Sequence, residues 1–155
     1  MISWKNCKCC GSSGVTRKMI DSLLLIGRPT GMEEIVASVL QRSSSSRVFL
    51  QLSAALNIPE PVSWIIVLQH WPDEYEEQEI RRLLETFPLA RFTVIQGPWC
   101  LSERRNRGSW PAAICVRSTQ AVARLDREVE VLTGKRAPLP WTAGLDEIFA
   151  FDHGV

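Results

Sequence analysis

Apolar residues along the chain fall into two alternating kinds of run. Short, near-continuous runs closed by glycine or polar residues suit strands buried on both faces of a sheet, whereas runs apolar at every third or fourth position suit amphipathic helices. Asp21 to Gly27, with Leu23-Leu24-Leu25-Ile26 at its centre, is of the first kind. Arg28-Pro29-Thr30-Gly31 has the composition of a turn. Met32, Ile35, Val36, Val39 and Leu40 then predict a helix, with Glu33 and Glu34 where the helix dipole favours carboxylates, and Ser43 to Ser46 end it. Arg47 to Gln51 predicts a short strand, and Leu52, Ala55 and Leu56 a short helix stopped by Asn57-Ile58-Pro59-Glu60-Pro61.

The second half continues the alternation. Ser63 to Gln69, with Trp64-Ile65-Ile66-Val67-Leu68, is continuously apolar and rich in β-branched residues, as for the centre of a parallel sheet. After His70-Trp71-Pro72, an acidic stretch from Asp73 to Glu79 leads into a helix carrying Ile80, Leu83, Leu84 and Phe87, which Pro88 terminates. Arg91 to Gly97 and Ala112 to Val116 predict two more buried strands, with Cys115 as a small core residue of the second. Residues 98–111 between them have no helical periodicity. A final helix is predicted over Thr119 to Leu132, with Ala121, Val122, Leu125, Val129 and Leu132 on its apolar face. Arg124, Asp126, Arg127, Glu128 and Glu130 lie mostly on the other, and Gly134 caps it. The chain thus divides into a flexible N-terminal segment (1–18), an α/β domain (19–134) and a C-terminal tail (135–155). Phe149 and Phe151 of that tail either cover an edge of the domain or extend from it as a docking segment.

Composition narrows the partners more than the chemistry. The 155 residues carry 18 Lys+Arg and 17 Asp+Glu, for a net charge of +1. That near-balance speaks against nucleic acid, an anionic membrane or an acidic substrate as the general partner. It conceals local excesses: residues 1–58 hold 7 basic and 3 acidic groups, residues 59–99 hold 3 and 7, and residues 100–155 hold 8 and 7. The longest early apolar run is far below the roughly 18 residues of a membrane helix. The start of the chain is polar and glycine-punctuated rather than signal-like, so a cytoplasmic location is expected. Five cysteines, an odd number, agree with that expectation. Cys7, Cys9 and Cys10 cluster, but they lack the two-residue spacer and the second Cys or His pair of a zinc site, so no metal or other cofactor is expected.

Strands alternating with helices at this spacing predict βαβ units. The expected fold is a flavodoxin-like three-layer α/β sandwich on a five-stranded parallel sheet of order 2-1-3-4-5, with the fourth helix replaced by a loop. The pattern from Ser22 to Leu132 resembles the receiver domain of response regulators: an apolar first strand, a central Ile65-Ile66-Val67-Leu68 strand followed by a loop with Pro72, a fourth and fifth strand, and a closing amphipathic helix. The resemblance implies signalling. Its chemistry would need a phosphoacceptor aspartate ending the third strand, an acidic pair after the first, a hydroxyl after the fourth and a lysine after the fifth. This chain instead has Gln69-His70 after the third strand, Gly27-Arg28-Pro29-Thr30 after the first, Gln96-Gly97 at the fourth and Val116-Arg117-Ser118 at the fifth. Without the acidic pair a divalent ion lacks oxygen ligands, and Asp21 and Asp73 are weak substitutes for an acceptor. A degenerate, pseudo-receiver reading follows.

Ligands of open α/β sheets bind beyond the carboxyl ends of the strands. That edge is expected to gather Arg28, Thr30, His70, Trp71, Asp73, Gly97, Trp99, Cys100, Arg117 and Ser118. His70 and Cys100 follow adjacent strands, the arrangement of a thiol nucleophile and its base, although no third residue is evident to orient the histidine. In residues 98–111, Arg104, Arg105 and Arg107 with Trp99 and Trp110 have the makings of a phosphate or single-stranded nucleic-acid grip. The competing structural reading pairs those arginines with Asp73, Glu74, Glu76 and Glu77 and uses the tryptophans to fill the space of the missing helix. The closing helix is a candidate homodimer surface. Together these features lead to the expectation of a non-catalytic regulatory protein that works through contacts with an unidentified protein partner. A small Cys100/His70 thiol enzyme and a phosphate or nucleic-acid binder are the alternatives.

Overall fold

Parallel strands must be covered on both faces, and right-handed crossovers decide which helix covers which face. The computed structural model describes residues 20–100, 110, 113–140 and 142–154. Its strands are β1 (Leu23–Ile26), β2 (Ser46–Phe49), β3 (Trp64–Gln69), β4 (Arg91–Gln96) and β5 (Ile114–Arg117). Its helices are α1 (Glu33–Leu40), α2 (Leu52–Ala55), α3 (Glu77–Thr86), α4 (Ala121–Leu132) and α5 (Leu145–His153). The strands form one parallel sheet in the order β2-β1-β3-β4-β5. The chain leaves β1 in one direction to reach β2 and then crosses back to β3, so α1 lies on one face and α2 and α3 on the other. This is the flavodoxin-like, receiver-like arrangement expected from the sequence.

Alternation along the strands sends residues to two cores. Leu24, Ile26, Ile65, Val67, Phe92 and Val94 pack with Leu52 and Ala55 of α2 and with Ile80 and Leu83 of α3. Leu23, Leu25, Trp64, Ile66, Leu68 and Ile95 pack with Ile35 and Val39 of α1 and with Ala121 and Leu125 of α4. Trp64 is fully buried and its indole Nε1–H donates to Thr93 Oγ1 at 3.0 Å, which satisfies both polar groups within the second core. Between β4 and β5 the described residues contain a 3-10 turn over Pro98–Cys100 and no α-helix. Trp110 is buried and packs into the first core.

Three expectations are corrected. The helix over 121–132 does not close the fold, because residues 145–153 of the tail form α5, whose Phe151 and Asp152 are buried. Cys115 is exposed rather than in the core, since it lies on β5, the edge strand of the sheet. Arg124 and Glu128 are buried rather than on a solvated face of α4. Arg124 meets Asp152 of α5, and Glu128 meets Arg91 at the start of β4, so ionic partners supply the burial that charge alone would forbid.

Candidate functional site: the carboxyl edge of the sheet

The strand order reverses between β1 and β3, and the crevice beyond their carboxyl ends is where such sheets take ligands. Here the chain's own groups bridge it. Gly27, just past β1, has a φ of +120° and donates its N–H to the Phe49 carbonyl at 2.8 Å. A Cβ at this position would lie 2.7 Å from the Leu68 carbonyl oxygen and 2.8 Å from the Tyr75 hydroxyl. The absent side chain is what lets Tyr75 descend on the strand ends. Its hydroxyl donates to the Leu68 carbonyl at 2.6 Å, and its ring meets Trp110 edge-on with centroids 6.0 Å apart.

The next residues of β3 continue the closure. Buried Gln69 donates its side-chain Nε2–H to the Pro72 carbonyl at 3.0 Å and accepts from Gln96 Nε2 at 3.2 Å, which ties the ends of β3 and β4 together. The backbone carbonyl of Gln69 accepts from Gly97 N–H at 2.8 Å and faces the Cys100 thiol at 3.7 Å. His70 spans the crevice, its Nε2–H donating to the Arg28 carbonyl at 2.7 Å, while its backbone N–H donates to Glu74 Oε2 at 2.6 Å. Met32, at the start of α1, is buried close to Gly97, with its methyl 3.3 Å from where a Gly97 Cβ would stand.

Of the residues expected at this edge, His70, Trp71, Asp73, Cys100 and Trp110 come together around these loops, with Arg28 and Trp99 on the rim and Arg117 at the end of β5. Arg28, Asp73 and Arg117 are exposed. Trp99 is 79% exposed, whereas Trp110, at 4%, is buried. Trp110 belongs to the first core and meets Tyr75 edge-on, whereas Trp99 sits exposed in a 3-10 turn. Asp21 precedes β1 and so lies at the amino edge, away from the crevice. Arg104, Arg105 and Arg107, their expected pairing with the acidic loop, and Cys7, Cys9 and Cys10 all lie outside the described residues. The imidazole of His70 is engaged with Arg28 and the thiol of Cys100 with Gln69. In a cysteine-alkylation time course read by peptide mapping, Cys115 is expected to react readily and Cys100 much more slowly, reaching the same rate only on unfolding.

Tyr75 and Gln96 were not signalled by sequence pattern. The one usable clue to Tyr75 was that it is the chain's single tyrosine and sits inside an otherwise acidic stretch. Burial pushes its phenol well above the ordinary value near 10, and the neighbouring Glu74 carboxylate adds to the rise while Arg28 opposes it. Because the folded pKa exceeds the unfolded one, the neutral phenol's contribution to stability is full below a pH of about 10 and is lost as pH rises from there towards the folded value. Ultraviolet titration of this single tyrosine is therefore expected to show ionisation delayed until the protein unfolds. Ionisation at the pH of a free phenol would contradict this partly buried placement.

The donor set does not suit magnesium. Arg28 is a cation, Glu74 is committed to the His70 N–H, and among the described residues no three His, Cys, Asp or Glu side chains gather as a metal site. Also among the described residues, no helix is long and apolar enough to cross a membrane.

No protein-family model matches the chain, and no curated protein matches at a significant level. Among solved structures the chain is similar to an adenylate cyclase from Rhodopirellula baltica, with a TM-score of 0.49 and 14% identity over 76% of this chain and 95% of that one. It is also similar to a response regulator receiver protein from Sinorhizobium medicae WSM419, with a TM-score of 0.48 and 15% identity over 73% of this chain and 98% of that one. The fold assignment itself rests on strand order and layering.

Proposed function

We infer that this chain is a receiver-like regulatory protein that acts through contacts with another protein, without catalysis and without the aspartyl phosphorylation route. The observation that carries the reading is the closed crevice. Tyr75 on Leu68, Gln69 between Pro72 and Gln96, and His70 across to Arg28 occupy the place where an acceptor carboxylate and its metal would have to meet. A phosphoryl group arriving there would meet a half-buried tyrosine and a glutamine, neither of which offers an ionised oxygen for acyl phosphate formation. Exposed Trp71 and Trp99 on neighbouring loops leave the rim suited to contact rather than chemistry.

The reading is tested by titrating magnesium, alone and with beryllofluoride, into the protein while following tryptophan fluorescence, since Trp71 and Trp110 flank the crevice. No saturable change is expected. A saturable response dependent on both ions would overturn it.

A further inference from the structure

Helix α5 is held to the domain in an unusual way. Only Phe151 and Asp152 of its nine residues are buried, while Leu145 (74%) and Phe149 (60%) face outward. An isolated helix of this length is marginal in water, so its docking depends on its packing, in which these two side chains are the most deeply buried. Both enter a seat made of arginines. Arg124 of α4 engages the Asp152 carboxylate through two nitrogens, Nε to Oδ1 and Nη2 to Oδ2 at 3.1 Å, with both side chains almost wholly buried. The Phe151 ring lies 5.3 Å from the Arg124 guanidinium carbon and 5.6 Å from that of Arg136. Arg127 Nε–H reaches the Asp152 main-chain carbonyl at 3.5 Å, where a cation complements the end of a helix dipole.

The arginines are set in place by α4 and the segment that follows it. Glu130 accepts from Arg127 Nη1 and from Arg136 Nε, each at 2.7 Å, so one carboxylate orients both guanidiniums. The hydrogen bond from Arg136 is the main cause holding the Glu130 carboxyl below its ordinary range. A preset fork for a carboxylate, two cations for an aromatic ring and a third cation for a helix end together read a specific chemical signature.

We propose that the Arg124, Arg127 and Arg136 seat on α4 is a recognition site for the end of a partner protein's helix that carries an aromatic residue followed by a carboxylate, and that α5 is its resident occupant. The charge complementarity of Phe151-Asp152 with the three arginines argues for that ligand chemistry. That α5 is anchored through one buried ionic pair and one ring, with the rest of the helix half-buried or exposed, argues for exchange. Residues 134–140, with Pro138 and Pro140, lie between α4 and α5 on the chain and would tether a released α5. The inference does not depend on how the carboxyl edge works.

The test uses the full chain and a capped synthetic peptide of residues 143–154 as the probe. In D152R the introduced guanidinium opposes that of Arg124, and α5 leaves the seat. In R124D/D152R the charges are exchanged and α5 is paired again within the chain. Circular dichroism checks the fold of each variant, and F151A, which loosens α5 without adding charge, takes the place of D152R if that variant does not fold. The peptide is expected to bind D152R or F151A at least about tenfold more tightly than wild type, because the tethered α5 competes at millimolar effective concentration. It is expected not to bind R124D/D152R, and a peptide with the Phe and Asp replaced by alanine is expected not to bind D152R. Equal binding to wild type and D152R, binding to neither, or retention by the alanine peptide would overturn the proposal. So would a wild-type dimer by light scattering that D152R abolishes, since the seat would then serve a second copy of this chain.

Discussion

Gly27→Ala is expected to destabilise the fold by about 3–5 kcal/mol, because it combines backbone strain at positive φ with overpacking. The Cβ would stand 2.7 Å from the Leu68 carbonyl oxygen and 2.9 Å from Leu68 Cβ, atoms of a fully buried central strand that cannot move aside cheaply. It would also meet the Tyr75 hydroxyl, and displacing that hydroxyl breaks its hydrogen bond to Leu68. Relaxation on either side therefore costs something: the strand gives up its parallel pairing, or the tyrosine gives up its seat. Urea unfolding measures the loss, and the tyrosine titration distinguishes the route, since an expelled Tyr75 would ionise near its ordinary pH. A loss below about 1 kcal/mol would place the substitution among ordinary surface changes and contradict the close approach.

The second large effect is expected at Trp64. Trp64→Ala removes the largest fully buried side chain and leaves a cavity between β3, α1 and α4, at a cost of about 3–5 kcal/mol. It also leaves the Thr93 hydroxyl buried without its partner, which adds about 1–3 kcal/mol. Trp64→Phe keeps most of the volume and loses the indole donor, so the pair of variants separates packing from hydrogen bonding. Adding Thr93→Val to Trp64→Phe is expected to recover part of the loss, because both polar partners are then absent. A Trp64→Phe variant as damaging as Trp64→Ala would show that the hydrogen bond, rather than the volume, decides the site.

The strands were legible because a parallel sheet buried on both faces leaves unbroken apolar runs, and Leu23–Ile26 and Trp64–Leu68 are such runs. Helices α1 and α3 were legible from their spacing. What the sequence concealed were groups whose burial comes from an ionic or local partner. Arg124 and Glu128 carry charge and therefore fell on the wrong side of α4 until Asp152 and Arg91 were in view. Helix α5 has its two anchoring residues adjacent, not three or four apart, so no helical stripe announces it. Trp99 and Trp110 have similar settings in the sequence, and only the place of Trp110 in the first core, against Tyr75, separates them. The closed crevice was half visible: the missing carboxylates at Gly27-Arg28 and Gln69-His70 could be read directly, but the positions taken by Tyr75 and Gln96 follow from loop geometry that has no periodic signature.

These pieces converge on a sheet whose carboxyl-edge crevice is bridged by Tyr75, Gln69 and His70, with Gly27 making room for Tyr75, and on the proposal that the protein works through contacts rather than aspartyl phosphorylation. The most direct measurement of that claim is incubation with acetyl phosphate and magnesium, followed by intact-mass spectrometry under conditions that preserve acyl phosphates. The account predicts no phosphoryl adduct. A stoichiometric, hydroxylamine-labile adduct mapping to Asp73 or Asp21 would contradict it.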